Sequence, residues 1–141
     1  MPTAIALCVV VIIAAIAVLH VYWALGGTVA KSSSVPEVDG RRAFSPSKPA
    51  TFAVAIALLF AATIVAIAGH LLASSIPIVL IRLLAVGLAA TFLTRAVGDF
   101  RLVGFFKRVR GTRFARLDTW AYAPLCLALG VAISYVAYSA A

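Results

Sequence analysis

Charged residues are scarce in this sequence, and acidic residues are the scarcest of all. Only 11% of the 141 residues are charged, and Asp and Glu together number 4. A soluble domain usually has about a quarter of its residues charged. So few charged side chains cannot cover a water-facing surface, which excludes an ordinary soluble globular fold. Lipid must therefore surround most of the chain.

Cysteine and histidine are also rare, and this limits the available chemistry. Cys8 and Cys126 lie in apolar runs without a CxxC spacing. His20 and His70 each lie near the C-terminal end of their predicted span, so antiparallel helices hold them at opposite membrane faces, ~20–30 Å apart at about 1.5 Å per residue. The two cysteines are likewise too far apart for a disulfide. We therefore expect no metal site and no cofactor, and we predict no catalytic residue.

Apolar residues make up 65% of the sequence and fall in long runs. Each run is long enough, at ~1.5 Å per helical residue, to cross a hydrocarbon core of ~30 Å. A helix satisfies its own backbone groups in lipid, whereas a barrel would require many alternating strands. The sequence therefore predicts an all-α integral membrane four-helix bundle, a single transmembrane domain over 1–141. The predicted spans are about 3–25, 51–73, 76–97 and 119–140.

Basic residues concentrate in two connections, at about 26–50 and 98–118. The opposite side has only a tight turn around Ser74–Ser75 and the two termini, without Lys or Arg. The positive-inside rule then places both loops in the cytoplasm and both termini outside. We expect a multi-pass protein of the bacterial cytoplasmic (inner) membrane. This bias also accounts for the net charge of +8, so nucleic acid is not an expected partner.

The cytoplasmic ends of the spans bring polar and aromatic side chains to one depth. Arg95 and Asp99 are four residues apart and are expected to pair, either as a local cap or as a polar clamp at the mouth of the bundle. An aromatic belt beside basic loops would also place many of these residues there. The candidates for a ligand or partner site are His20, Tyr22, Trp23, Arg95, Asp99, Arg101, Asp118 and Trp120.

The second connection interleaves cations with apolar side chains such as Phe105 and Phe106. This pattern is typical of a segment whose apolar side chains enter the headgroup boundary while its cations meet anionic lipid. A loop that only determines topology is the alternative. The candidates for contact with anionic lipid headgroups are Lys107, Arg108, Arg110, Arg113 and Arg116.

Two stretches are specific enough to indicate a family. They are Leu19-His-Val-Tyr-Trp-Ala-Leu-Gly-Gly27, and Arg95-Ala-Val-Gly-Asp-Phe-Arg101 continuing through Gly104-Phe-Phe-Lys107 to Ala115-Arg-Leu-Asp118. They resemble the small bacterial membrane proteins of domain-of-unknown-function family 3995. The resemblance implies a compact multi-span protein and brings no activity, substrate or cofactor.

Three functions remain in competition. The favoured one is a non-enzymatic accessory protein that interacts with the lipid bilayer, its anionic headgroups, a second copy or a membrane partner subunit. The first alternative is a small carrier or channel subunit that handles an anionic or lipid-like ligand through Arg82 and Arg95. The second is a membrane-embedded enzyme at the cytoplasmic interface, with His20 or Asp99 as acid or base.

Overall fold

The computed structural model describes residues Met1–Ala140, and most of them are helical. The long helices are α1 (Pro2–Ala24), α2 (Lys48–Ala68), α3 (Ile78–Val97) and α5 (Ala123–Ser139). A short helix, α4 (Arg113–Leu117), and a π-helical turn (Asp118–Tyr122) run directly into α5. Between α1 and α2 lie a 3-10 turn (Lys31–Ser33) and a hairpin of β1 (Glu37–Val38) and β2 (Arg41–Arg42).

The long helices have the length and composition of membrane spans. Within residues 1–140, four stretches meet both criteria, with lengths of 23, 21, 20 and, from α4 through α5, 27 residues. At ~1.5 Å per residue, each reaches about the 30 Å of a hydrocarbon core. The predicted all-α, multi-pass class is confirmed.

The long helices associate mainly as two pairs, α1 with α2 and α3 with α5. Glycines allow the close approach within each pair. A side chain at Gly69 would overlap that of Ala6, and one at Gly130 would meet Leu93 and the backbone oxygen of Ala89. Small residues at helix contacts are the usual solution in membranes, where backbones must approach closely to gain dispersion energy.

The connection between α2 and α3 is longer than the tight turn expected at Ser74–Ser75. Helix α2 ends at Ala68 and α3 begins at Ile78, so residues 69–77 lie outside both helices. His70 has a left-handed φ of 59°, which takes the chain out of α2. Leucines continue past this point, and hydropathy alone therefore places the end of the span too late.

The two basic connections meet at one end of the bundle. In the first, Asp39 and Gly40 have φ values of 51° and 74° and form the turn of the β1–β2 hairpin, as a turn with two left-handed residues requires. The Tyr122 hydroxyl donates a hydrogen bond to the backbone oxygen of Ser33 at 3.2 Å. The first connection is thereby attached to the start of α5.

Candidate functional site at the basic loop

The centre of the site is Asp118, whose side chain is completely buried. Its Oδ1 accepts a hydrogen bond from Arg95 Nη2 at 2.8 Å, and its Oδ2 accepts from the Gly104 N–H at 2.7 Å and from Lys107 Nζ at 3.1 Å. Such charge-assisted bonds are stronger than neutral ones, and a buried carboxylate requires them. One side chain therefore joins the end of α3, the start of α5 and residues 98–112, called here the basic loop.

Lys107 departs from its expected role as a headgroup-binding cation. It is only 2% exposed, and its ammonium also donates to the Gly104 backbone oxygen at 2.9 Å and to Thr119 Oγ1 at 2.6 Å. Together with the bond to Asp118, these occupy all three donor hydrogens of the ammonium. The expectation of an exposed Lys107 was wrong, because the sequence does not distinguish it from the cations around it.

The expected pairing of Arg95 with Asp99 was also wrong. Helix α3 ends before Asp99, and Gly98, with a φ of 94°, turns the chain away from the helix axis. Arg95 instead pairs with Asp118, 23 residues further along the chain. The second terminal nitrogen of Arg95, Nη1, is buried without a hydrogen-bond partner among residues 1–140. Arg95 thus forms an ion pair at the end of α3, with a different acid from the one predicted.

Asp99 instead organises the backbone of the basic loop. Its Oδ1 accepts three backbone N–H bonds, at 2.7–3.0 Å, although the side chain lies at the surface. Desolvation is the largest single influence and raises the pKa of Asp99, but the three bonds together outweigh it and hold the pKa below its ordinary value. The carboxylate therefore stays ionised and caps the turn. The donors are Val103, Arg101 and Leu102.

Two glycines let the basic loop fold back on α3. Gly98 and Gly104 have φ values of 94° and 84°, and a side chain at Gly98 would overlap the backbone oxygen of Val103. The Phe105 N–H donates to the backbone oxygen of Ala96 at 2.9 Å. Only glycine combines this conformation with so close an approach. The loop is therefore a defined structure, fixed on α3 by its backbone and on α5 by Asp118.

The outer surface of the basic loop presents aromatic side chains next to cations. Phe100 and Phe106 are 57% and 63% exposed with ring centres 6.3 Å apart, and Trp120 at the start of α5 is 84% exposed. Four of the five predicted headgroup-binding residues and Arg101 are exposed here. These exposed arginines of the described chain are Arg101, Arg108, Arg110, Arg113 and Arg116.

The remaining predicted site residues form a separate group at the end of α1. The His20 ring packs edge-on against Trp23 at 5.0 Å, and its Nδ1 bonds to the backbone oxygen of Ile16 at 2.8 Å. Trp23 Nε1 donates to the backbone oxygen of Val29 at 2.7 Å, while Tyr22 is exposed. Among residues 1–140, no hydrogen bond joins this group to the Asp118 network. The structure thus divides the predicted cluster into two.

Sequence reasoning did not identify Gly104 and Thr119 as members of the site. Gly104 contributes a backbone N–H, and the Thr119 hydroxyl accepts from Lys107 and donates to the backbone oxygen of Ala115 at 3.0 Å. Residue type alone does not identify either of them as a polar partner of a buried acid. The useful signal was Asp118 itself, because an acid at the start of an apolar span needs cations nearby.

Two clefts differ in what they offer to a ligand. The larger, about 300 Å³, lies between α1 and α5 and is lined by apolar side chains and Cys8. The smaller, about 160 Å³, lies between the basic loop, α4 and the π-helical turn that follows α4. Within residues 1–140, no three His, Cys, Asp or Glu residues are grouped to hold a metal ion. The smaller cleft is lined by Lys107, Arg110, Gly111, Ala115, Arg116, Thr119 and Trp120.

These features define a multi-pass helical membrane protein with a basic loop fixed by a buried acid. The match to known families makes the assignment specific. Residues 13–133 match the model of a family described as protein of unknown function (DUF3995), and the chain belongs to that family. No curated protein and no solved structure matches the chain.

Proposed function

We propose that this chain is a non-catalytic protein of the bacterial cytoplasmic membrane that binds anionic lipid headgroups through its basic loop. The observation that carries the proposal is the exposure of Phe100 and Phe106, 57% and 63%, on a loop whose backbone is fixed. A flexible loop would let such rings collapse onto the protein. Held outward among arginines, they have the arrangement of side chains that enter a membrane interface.

The distribution of charge supports a cytoplasmic location for the loop. All Lys and Arg residues except Arg82 lie at the end of the bundle where α1 and α3 finish. A single-sided excess of Lys and Arg is retained on the cytoplasmic side during insertion. Both termini are then outside. The cytoplasmic leaflet is also where anionic lipids attract basic segments.

The free energy of interaction between the loop side chains and anionic lipid is sufficient to organise lipid around the protein. Each Lys or Arg close to an anionic surface contributes about 1 kcal/mol, so the exposed arginines of the described loop and α4 contribute up to about 5 kcal/mol. Each apolar ring adds about 25 cal/mol for every Å² removed from water. The helices already anchor the chain, so this free energy selects which lipids adjoin the loop.

Spin-labelled lipids test the proposal with the full chain in lipid bilayers. The preference for phosphatidylglycerol over phosphatidylcholine at the protein surface is measured by electron paramagnetic resonance. We expect a several-fold preference in the wild type. It should fall close to unity when the exposed arginines of the loop and α4 are all replaced by Gln.

A control outside the basic loop neutralises Arg41 and Arg42, which are exposed on β2 in the first connection. The variant Arg41→Gln/Arg42→Gln should retain most of the preference, because the exposed aromatic pair of the basic loop is absent from that hairpin. A preference that survives removal of the exposed arginines of the basic loop and α4 would overturn the proposal. Phe100→Ser/Phe106→Ser should weaken it by reducing insertion of the loop.

A further inference from the structure

We propose that the cleft between the basic loop, α4 and the π-helical turn that follows α4 binds the phosphate group of one anionic phospholipid. This inference rests on the proposed function and assigns it a discrete, stoichiometric site. The residues that line the cleft include the basic side chains of Arg110, Arg116 and Lys107, together with Thr119 and Trp120.

The size of the cleft restricts its ligand. At about 160 Å³ it holds the volume of about five water molecules, at ~30 Å³ for each water. Pockets for drug-sized ligands and cofactors span about 300–1,000 Å³. The cleft therefore accommodates a phosphate group with its nearest ester atoms, and the rest of a larger ligand would lie outside it.

The walls provide donors that nothing in the described chain uses. Arg110 lines the cleft, and its Nε donates to the backbone oxygen of Lys107 at 3.4 Å. Within residues 1–140, no hydrogen bond is made by the terminal nitrogens of Arg110 or by the side chain of Arg116. Guanidinium groups match the oxygens of a phosphate with two parallel hydrogen bonds, more closely than an ammonium does.

The charge balance favours an anion at this place. Arg95, Lys107 and Asp118 together carry one net positive charge, and Arg110 and Arg116 raise the total to three. None of the described residues lining the cleft is acidic. Lys107 has no free donor hydrogen, so its contribution to a bound phosphate is electrostatic. A concave site with one sign of charge concentrates counter-ions of the opposite sign.

Trp120 points to a lipid as the source of the phosphate. It is 84% exposed at the start of a membrane span and lines the cleft together with Thr119. Tryptophan rings favour the depth where headgroup and acyl chain meet. A phosphate in the cleft would thus have an interfacial ring beside it, where a phospholipid carries its glycerol. Free inorganic phosphate has no group to occupy that position.

Native mass spectrometry of the full chain, titrated with defined phospholipids, tests this site. The ligands are phosphatidylglycerol, phosphatidic acid and phosphatidylcholine. We expect one anionic lipid to remain bound at activation that removes the others. Arg110→Gln/Arg116→Gln should weaken this lipid at least tenfold, and Arg110→Lys/Arg116→Lys should weaken it less, because charge remains but the paired donors are lost.

The matched control removes the same amount of charge from positions of the basic loop that lie outside the cleft. Arg101→Gln/Arg108→Gln should leave the retained lipid in place, since neither residue lines the cleft. Equal losses in the Arg110/Arg116 and Arg101/Arg108 variants would overturn the discrete site while leaving the proposed function standing. Absence of any anionic preference in the wild type would overturn both.

A final arm separates the two sources of phosphate. Inorganic phosphate in large excess should not displace the retained lipid, because it lacks the contacts near Trp120. Displacement at concentrations comparable to those of the lipid would overturn the assignment to a phospholipid. Hydrogen exchange of the loop backbone should be unchanged in the Arg110/Arg116 variants, since their side chains are exposed. Faster exchange would show that the loss of binding comes from unfolding of the loop and would contradict a direct role.

Discussion

Replacing Asp118 with asparagine keeps the shape of the buried side chain and removes its charge. The oxygen of the amide can still accept the Gly104 N–H, but Lys107 and Arg95 lose their counter-ion. Removing one partner of a buried pair usually costs about 3–5 kcal/mol. The Arg95 side chain is 34% exposed and can turn toward water, whereas Lys107 is 2% exposed and cannot. We therefore expect a cost near the lower end, about 3 kcal/mol.

Hydrogen exchange at the Phe105 and Val109 amides measures this cost. The Phe105 N–H donates to the backbone oxygen of Ala96 in α3 at 2.9 Å, and the Val109 N–H donates to that of Arg101 in the loop at 3.0 Å. Neither amide donates to Asp118. Because a factor of ten corresponds to 1.4 kcal/mol, about 3 kcal/mol predicts faster exchange by about two orders of magnitude in Asp118→Asn. The amides in the middle of α1 and α2 should keep their protection, because those helices do not contribute to the network.

A double variant separates loss of charge pairing from loss of shape. In Asp118→Asn/Lys107→Met, the buried ammonium is gone as well, so part of the protection should return. Unchanged exchange at Phe105 in Asp118→Asn would refute the conclusion that this acid fixes the loop. An effect of the double variant equal to the sum of the two single variants would refute the coupling between Asp118 and Lys107.

Three further predictions concern the loop backbone and the helix pairs. Gly98→Ala should unfold the basic loop, because Gly98 has a positive φ and an added Cβ would overlap the loop backbone. Gly111 also has a positive φ, 90°, but its surroundings are open, so Gly111→Ala should lower the stability of the loop by only about 1–2 kcal/mol, measured by hydrogen exchange of the loop amides. The pKa of Asp99 in the folded protein lies below the unfolded value of about 3.9, so the stabilisation by its carboxylate is full above about pH 3.9 and is lost as the pH falls through the folded pKa. The backbone N–H chemical shifts of the loop should therefore stay constant from pH 7 to about pH 5 and change at lower pH. Asp99→Asn should abolish this acid transition. Gly130→Leu should separate α3 from α5 and destabilise the detergent-extracted protein by about 1–3 kcal/mol or more, which a thermal unfolding experiment detects. Gly87→Leu should change the stability little, because the position of Gly87 is open.

The helices could be predicted from the sequence because hydropathy is a property of each segment by itself. The same property fails at helix ends, as the exit of α2 at Gly69 and His70 shows. Backbone conformation decides where the helix stops, and the leucines beyond it remain apolar. The β1–β2 hairpin also depends on local sequence, because its turn requires left-handed residues and Asp39-Gly40 is a sequence typical of such a turn.

The candidate site was predicted less completely, because its contacts are not local. Spacing along a helix suggested Arg95 with Asp99, while the structure pairs Arg95 with an acid that is reached only after the loop has folded back. Burial of Lys107 has the same origin. A local rule finds which residue types gather at one membrane depth, and the path of the loop then decides which of them touch.

The position of Asp118 late in the chain has a consequence for biogenesis. Gly98, Arg95 and Lys107 are synthesised before the acid that holds them together, and Asp118 directly precedes the last membrane span. The loop therefore cannot acquire its final form before Asp118 has been synthesised and lies against the end of α3. Until then, Arg95 and Lys107 lack the counter-ion that pairs them in the folded protein.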